Sequence, residues 1–539
     1  SSADSTSTIA KETTGYDSST VKKTESLTQA FITAETLSVI DTNGIVSCFE
    51  YDAQGRITRS TRAKGTENEI TTLATFQPMS NRSLTKKTSS QFTEVTVTDD
   101  LGNPSEVFWT LPASSTHAGM SYKICSYAYN DLDQVITENE YDYIQQVTSK
   151  IIIPPDITQT TKFEWNAYGE PVSRQNPDAS TVSYVYDAHS RNDYPASIAV
   201  TYYPGGSTTL SYYNAIDQLC LQETYASRTR KKPDTAQEFS YDPFMRESKS
   251  TLSGQETFTY EYDAFDRLIV KNGSASGKQS FFYAPHSAAP LVSVIDVDGT
   301  VMGEKSHDGL DREISTTISG VKTRYDYSGS SVFSRPALVS ITGGRQWAYK
   351  YHPVFESITR EAIENSVAIP LAIMSFSYAP DSGRLMGEKT VRRAYTYSRT
   401  LSYDAFDHLC EDAAAWDSSD LGKYKTTITS TVRGKPVEIS VQFNSESTTI
   451  KKQYVYDDCG RGKIIRYLSS DTNHTNKILS ASYLHRSKST GNLTQIDNYA
   501  RTIYNNFRHI KQNRTYNQYN DEKSRSHYLF SHYVFGCNI

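Results

Sequence analysis

Two carboxylates three residues apart, Asp263 and Asp266, stand beside Tyr260, Tyr262 and Arg267. Acid/base catalysis uses such a pair, one carboxyl giving a proton while the other takes one. Asp404 and Asp407 repeat the spacing. His307, His352 and His408 add groups that titrate near neutrality. They have no HExxH or clustered-ligand spacing, so they are read as turn or surface histidines. No GxSxG elbow or phosphate loop is present, and Gly343-Gly344-Arg345 reads as a turn.

What decides against catalysis is recurrence. Residues 260–268 read as strand, tight turn, strand. Tyr260 and Tyr262 alternate with Glu261, Asp263 can bond the backbone two residues on, and Asp266 suits a left-handed position. The same unit returns at Tyr51-Asp52-Ala53-Gln54-Gly55-Arg56, Tyr186-Asp187, Tyr241-Asp242, Tyr403-Asp404 and Tyr456-Asp457-Asp458-Cys459-Gly460-Arg461. Variants stand at Thr98-Asp99, Tyr129-Asn130, Trp165-Asn166, Tyr213-Asn214 and His307-Asp308, and Tyr378 opens one with an inserted residue. Column one is mostly aromatic, column two Asp or Asn, column five mostly Gly or Asp. Column six is often Arg, at 56, 191, 246, 267, 312 and 461. A pair repeated this often is turn chemistry, so neither catalytic nor metal-binding residues are assigned, and no cofactor. The column-six Arg is expected to pair with turn Asp or stack on Tyr.

The elements that carry these turns are hairpins. Units 165 to 186, 241 to 262 and 262 to 283 are each 21 residues apart, room for two strands and two turns. Second turns, such as Asn272-Gly273 and Asp298-Gly299, lie between units. The expected fold is all-β: antiparallel hairpins in series, forming a ribbon that must coil or close to hide its edges. Only residues 355–373 carry a modest helical pattern, limited by Pro370. The expected divisions are a loosely ordered lead-in over 1–33, repeats over 34–499, and an irregular tail over 500–539.

Composition agrees. The 539 residues are 37% hydrophobic, which favours thin layers over one thick core. There are 39 Tyr against 20 Phe and 4 Trp, and Tyr packs on one face while keeping a wet hydroxyl. A net charge of −6 gives no basic field for nucleic acid or an anionic membrane. The longest apolar run, 367–374, is too short to span a bilayer. The 6 Cys are dispersed, and Cys220 and Cys410 are expected as packed strand residues. Residue 1 is Ser, so the start is expected to be cut, processed or incomplete. Five Asn-x-Ser/Thr sequons, at 81, 272, 473, 492 and 513, are near chance in a chain this rich in Ser and Thr.

These units resemble the YD repeats of Rhs proteins, of the B and C subunits of insecticidal toxin complexes (Tc toxins), and of teneurins. Tyr51-Asp52-x-x-Gly55-Arg56-Ile57 matches the opening of the family pattern, and Phe239-x-Tyr241-Asp242 and Tyr260-x-Tyr262-Asp263 its close. The resemblance covers roughly 34–495. It implies a ribbon spiralling into a hollow shell, or part of one. In the toxin members this shell holds a toxic polypeptide unfolded until delivery. Implied partners are other toxin-complex subunits or an enclosed polypeptide, and the implied location is secreted or cell-surface. The Asp-Pro-x-Gly core segment of self-cleaving shells is absent, so no protease residue carries over. The expected role is structural and non-enzymatic. The alternative is a secreted or surface carbohydrate-binding or adhesion protein that uses its Tyr columns for sugar stacking.

Overall fold

The computed structural model describes residues 6–14, 22–79, 82–88, 92–111, 119–144, 155–187, 197–365, 370–393, 395–417, 422–443, 449–457, 460–471, 474–486 and 493–500. The expected tail over 500–539 therefore lies outside the described residues, save Ala500.

Among the described residues thirty-nine strands follow one another, β1 (Thr6–Thr14) to β39 (Leu493–Ala500), and no helix occurs. Each strand pairs antiparallel with the next in sequence, as β20 (Glu256–Tyr262) does with β21 (Leu268–Gly273). The result is one meandering ribbon. Its two edges are both made of turns. One edge carries the repeat turns, and the other carries the second turns.

The ribbon is one sheet thick. Its exposed area is 34308 Å², whereas a compact protein of 60.5 kDa exposes roughly 19,500 Å². The cluster of fully buried apolar side chains is correspondingly small: Leu111, Tyr122, Ile124, Tyr143, Phe406 and Val432. Those residues come from two distant parts of the chain, which already implies that the ribbon returns on itself.

Two sequence expectations fail here. The lead-in over 1–33 contributes β1 and β2 (Lys22–Ala30), paired with each other and with β3 (Thr36–Ile40). Thr-rich segments with few apolar residues still form strands when a neighbouring strand supplies the ladder. The helical pattern at 355–373 is likewise strand, in β29 (Ile358–Glu364) and β30 (Pro370–Tyr378). Pro370 opens its strand, where the missing N–H is tolerated. Pairing to both neighbours overrides a weak local period.

Among the described cysteines, Cys48, Cys125, Cys220 and Cys410 are free thiols. Cys220 is buried in β17 (Leu219–Tyr225), and burial pushes its thiol pKa up.

Candidate functional site

The unit at Asp263 shows how each repeat turn is built. Asp263 N–H donates to Arg267 O at 3.0 Å, and Asp266 N–H donates to Asp263 O at 3.2 Å. The side chain closes the loop: Asp263 Oδ1 accepts from Phe265 N–H at 2.8 Å and Arg267 N–H at 3.0 Å. Asp266 takes φ +62°, the left-handed position that this turn requires. The ladder slips by one residue between Glu261 and Tyr262, the bulge that ends such a hairpin loop.

Column six then caps the carboxylate. Arg267 Nε donates to Asp263 Oδ2 at 2.7 Å. Arg56–Asp52, Arg246–Asp242 and Arg461–Asp457 repeat this contact at 2.8, 2.7 and 2.9 Å. Burial pushes the Asp263 carboxyl up, but the Arg267 backbone and guanidinium and Phe265 N–H outweigh it and hold the group below its ordinary value. At Asp52 the Arg56 guanidinium is the main cause of the same lowering. Asp266 does not face Asp263 as an acid/base partner. It accepts from Arg246 of the preceding unit at 2.7 Å. Asp407 likewise pairs with Arg384, while burial raises its carboxyl. Gly55 and Gly460 fill column five at φ +76° and +67°. Tyr186 and Asp187 end β14 (Thr181–Asp187), and the rest of that unit, 188–191, lies outside the described residues.

Column one links unit to unit. Tyr262 Oη donates to Glu247 O at 2.8 Å, just past the Arg of the unit before, and Arg246 lies 4.7 Å over the Tyr262 ring. Tyr283 and Arg267 repeat the arrangement, as do Tyr327 with Arg312 and Tyr403 with Arg384. Tyr51, Tyr241 and Tyr456 make the hydroxyl bond to Thr36, Leu219 and Pro436. Tyr260, two residues upstream, reaches Ser250 Oγ instead, at 2.9 Å. The Asp–Arg pairs at 242/246, 263/267 and 308/312 thus support the Tyr of the next unit.

Some turns of this kind escaped the sequence pattern. Thr431-Val432-Arg433-Gly434-Lys435 closes with the same two backbone bonds, although its second column is Thr. His352 occupies column two of a longer turn, where Nδ1 accepts from Val354 and Phe355 N–H at 3.3 Å; burial pushes its pKa down. The detectable signal was the spacing, since Thr431 falls midway between Asp404 and Asp457, with Gly434 in column five.

These overlooked turns take part in the seam where the ribbon meets itself. Thr431 Oγ1 donates to Asp142 Oδ2 at 2.9 Å, and Arg433 N–H donates to Asp142 Oδ1 at 3.1 Å. Val432 N–H donates to Tyr143 O at 2.8 Å. Asp142, Thr431 and Val432 are all nearly inaccessible to solvent. Phe406 packs edge-on to Tyr122, ring centroids 5.4 Å apart, and lies 6.4 Å from Trp109. Elsewhere Arg62 donates to Val354 O at 2.8 Å, Phe333 N–H to Asn43 Oδ1 at 2.9 Å, and Arg461 to Asp178 Oδ2 at 3.2 Å.

Five of the seam contacts share one offset. Repeat turns after β26 (Val321–Asp326), β28 (Arg345–Tyr351), β32 (Tyr395–Tyr403), β34 (Lys423–Ser430) and β36 (Thr449–Tyr456) seat on the other edge. There they meet the second turns, or adjoining strand ends, at β3, β5 (Ile57–Arg62), β9 (Pro104–Thr110), β11 (Val135–Asp142) and β13 (Pro171–Gln175). Every one of these five contacts joins turns 23 strands apart. The ribbon is therefore a spiral, with the repeat-turn edge of its second gyre on the second-turn edge of its first. A polar cleft of ≈ 560 Å³ opens beside Arg461, lined by Glu138, Glu140, Arg174 and Asp178 among others. No cluster fit to hold a metal ion occurs among the described residues.

No family model matches the chain, and no curated protein matches it in sequence. Among solved structures the chain is similar to a Photorhabdus luminescens Tc holotoxin pore, with 12% identity and a TM-score of 0.49, covering 88% of this chain and 24% of that one. It is also similar to TcdB2-TccC3-Cdc42, at 10% identity and TM-score 0.42, covering 89% of this chain and 31% of that one. TcdB2-TccC3 without its hypervariable C-terminal region gives 11%, TM-score 0.39, and coverage of 92% and 32%. The chain thus spans between a quarter and a third of the length of these neighbours.

Proposed function

We propose that this chain is a wall-forming structural component of a secreted or surface-delivered toxin complex, and that its wall confines a polypeptide without making or breaking a bond. The 23-strand offset shared by those five contacts carries this reading. A gyre of that many strands, at about 4.8 Å each, has a circumference of roughly 110 Å and is about 35 Å across. Side chains on the inner face reduce the opening to roughly 25 Å. A folded domain of 100 residues, with a radius of gyration of about 13 Å, is wider than that. An extended or unfolded chain passes. The lumen therefore suits an unfolded polypeptide. In keeping with confinement, the recurrent carboxylates are committed to turns and guanidinium groups, which leaves these pairs no open acid/base geometry.

The alternative, sugar stacking on the Tyr columns, must use other aromatics. Tyr262, Tyr283, Tyr327 and Tyr403 lie under guanidinium groups, with their hydroxyls bonded to carbonyls. No helix among the described residues is long and apolar enough to cross a membrane. The test is to fuse an unfolded reporter polypeptide after residue 539 and follow its proteolysis. The reading expects the reporter to be digested far more slowly than the free peptide. Equal rates, together with particle images showing a solid body, would overturn it.

A further inference from the structure

Residues 226–234 join β17 to β18 (Thr235–Tyr241) and form the longest of the fully described second turns. Four of them are basic, Arg228, Arg230, Lys231 and Lys232, in a chain of net charge −6. All four are exposed. Among the other fully described second turns the one Lys or Arg is Lys64, whose N–H is held by Val46 O at 3.0 Å. The basic turn is anchored at its ends and open at its tip. Ala226 N–H donates to Asp234 Oδ2 at 2.6 Å, and Asp234 N–H donates to Thr224 O at 2.8 Å. Arg228 N–H donates to Gly206 O at 2.9 Å, and its guanidinium lies 4.6 Å over the Tyr202 ring. Arg230 pairs with Asp234. Lys231 and Lys232 make no hydrogen bond or ion pair among the described residues. The turn also lies beyond β13, where the five seam contacts end.

We propose that this turn is a cleavage site for an endopeptidase of the trypsin class, and that the cut chain stays assembled. Such an enzyme draws one basic side chain into a pocket with a carboxylate at its base. Exposed polar loop tips are where proteases find backbone they can seat. Lys231 fits, because its ammonium has no competing partner, whereas Arg228 must leave Tyr202 and Arg230 must leave Asp234. Lys232 is followed by Pro233, whose ring closes on the nitrogen to be cut and leaves no N–H there. The favoured bond is therefore Lys231–Lys232. Water adds across it: the C–N bond breaks, Lys231 ends in a carboxylate, and Lys232 begins with an ammonium. The two pieces remain in one ribbon. Residues 221–224 still pair with 235–238, β17 with β16 (Thr208–Tyr213), and β18 with β19 (Glu247–Leu252). On the wall reading above, a cut here is a processing step. An opened wall then recloses only if two chains meet, so opening becomes one-way.

The experiment digests the native full chain briefly with trypsin and maps the new termini by mass spectrometry. Among the bonds of the described residues, Lys231–Lys232 is expected to break first. The pieces ending at 231 and starting at 232 are expected to co-elute on size exclusion in buffer and to part in urea. An Arg230→Gln, Lys231→Gln variant is expected to lose cleavage after 230 and 231 and to keep the wild-type thermal midpoint. Pro233→Ala is expected to add a cut after Lys232. A first cut elsewhere among the described residues, a turn left whole while the urea-unfolded chain is digested, or pieces that part in buffer would overturn the proposal. A fused reporter digested at the free-peptide rate would instead bring down the wall reading and leave the cleavage site standing.

Discussion

The turn at Asp263 and the turn at Thr431 have nearly the same backbone and reach it by different means. Asp263 supplies its own acceptor to Phe265 and Arg267, and its own Arg caps it. The Thr431 hydroxyl accepts from Lys435 N–H at 3.0 Å, and the acceptor for Arg433 N–H comes from Asp142, 291 residues earlier in sequence. One turn is self-sufficient and half-exposed to water, and the other is completed by a distant strand and sealed from water. The contrast separates what makes a repeat from what makes a closed gyre.

The largest effect is expected at the borrowed acceptor. Asp142→Ala leaves Thr431 Oγ1, Arg433 N–H and Tyr143 N–H without their buried partner, a loss of about 3–5 kcal/mol. Urea unfolding followed by Tyr fluorescence reads this, and a midpoint unchanged from wild type would break the comparison. Phe406→Ala is expected to cost about 3–5 kcal/mol through the cavity it opens, whereas Phe265→Ala, at the same column but exposed, leaves the midpoint unchanged. Equal midpoints for the two variants would show that the seam is not packed.

Smaller effects belong to the ladder within the ribbon. Tyr262→Phe removes one half-buried hydroxyl bond to Glu247 O, worth about 0.5–1.5 kcal/mol. The measurement is the thermal midpoint, compared with that of Tyr168→Phe, a largely exposed ring. The smallest effect is on pH dependence. The Asp52, Asp242 and Asp263 carboxyls are held below their ordinary values when folded. Their contribution is therefore fully present above about pH 4 and is lost as pH falls through the folded values. Asp263→Asn is expected to flatten the fall in stability below pH 4 slightly, and a steeper fall would reverse the sign.

Local turn chemistry was legible because it is written in contiguous residues. Asp in column two, a left-handed residue in column five and Arg in column six each act within five positions. The Arg–Tyr stack was legible as a type of contact, though not as a link to the following unit. The seam was not legible. Thr431 carries no Tyr-Asp mark, and nothing in Asp142, the last residue of an ordinary strand, points to a partner 289 residues away. Closure depends on curvature accumulated over 23 strands, a property of the whole ribbon. The strands at 6–14 and 22–30 were missed for a related reason, since a polar Thr-rich segment becomes strand only beside another strand.

The central claim is that the ribbon returns on itself. Asn43 Nδ2 donates to Glu356 Oε1 at 2.8 Å across the seam, 313 residues apart. An Asn43→Cys, Glu356→Cys variant treated with a short bismaleimide and mapped by mass spectrometry tests this directly. The account predicts a linked 43–356 peptide from native monomer that disappears when the protein is first unfolded in urea. Separate single adducts at 43 and 356 in the native protein would contradict it.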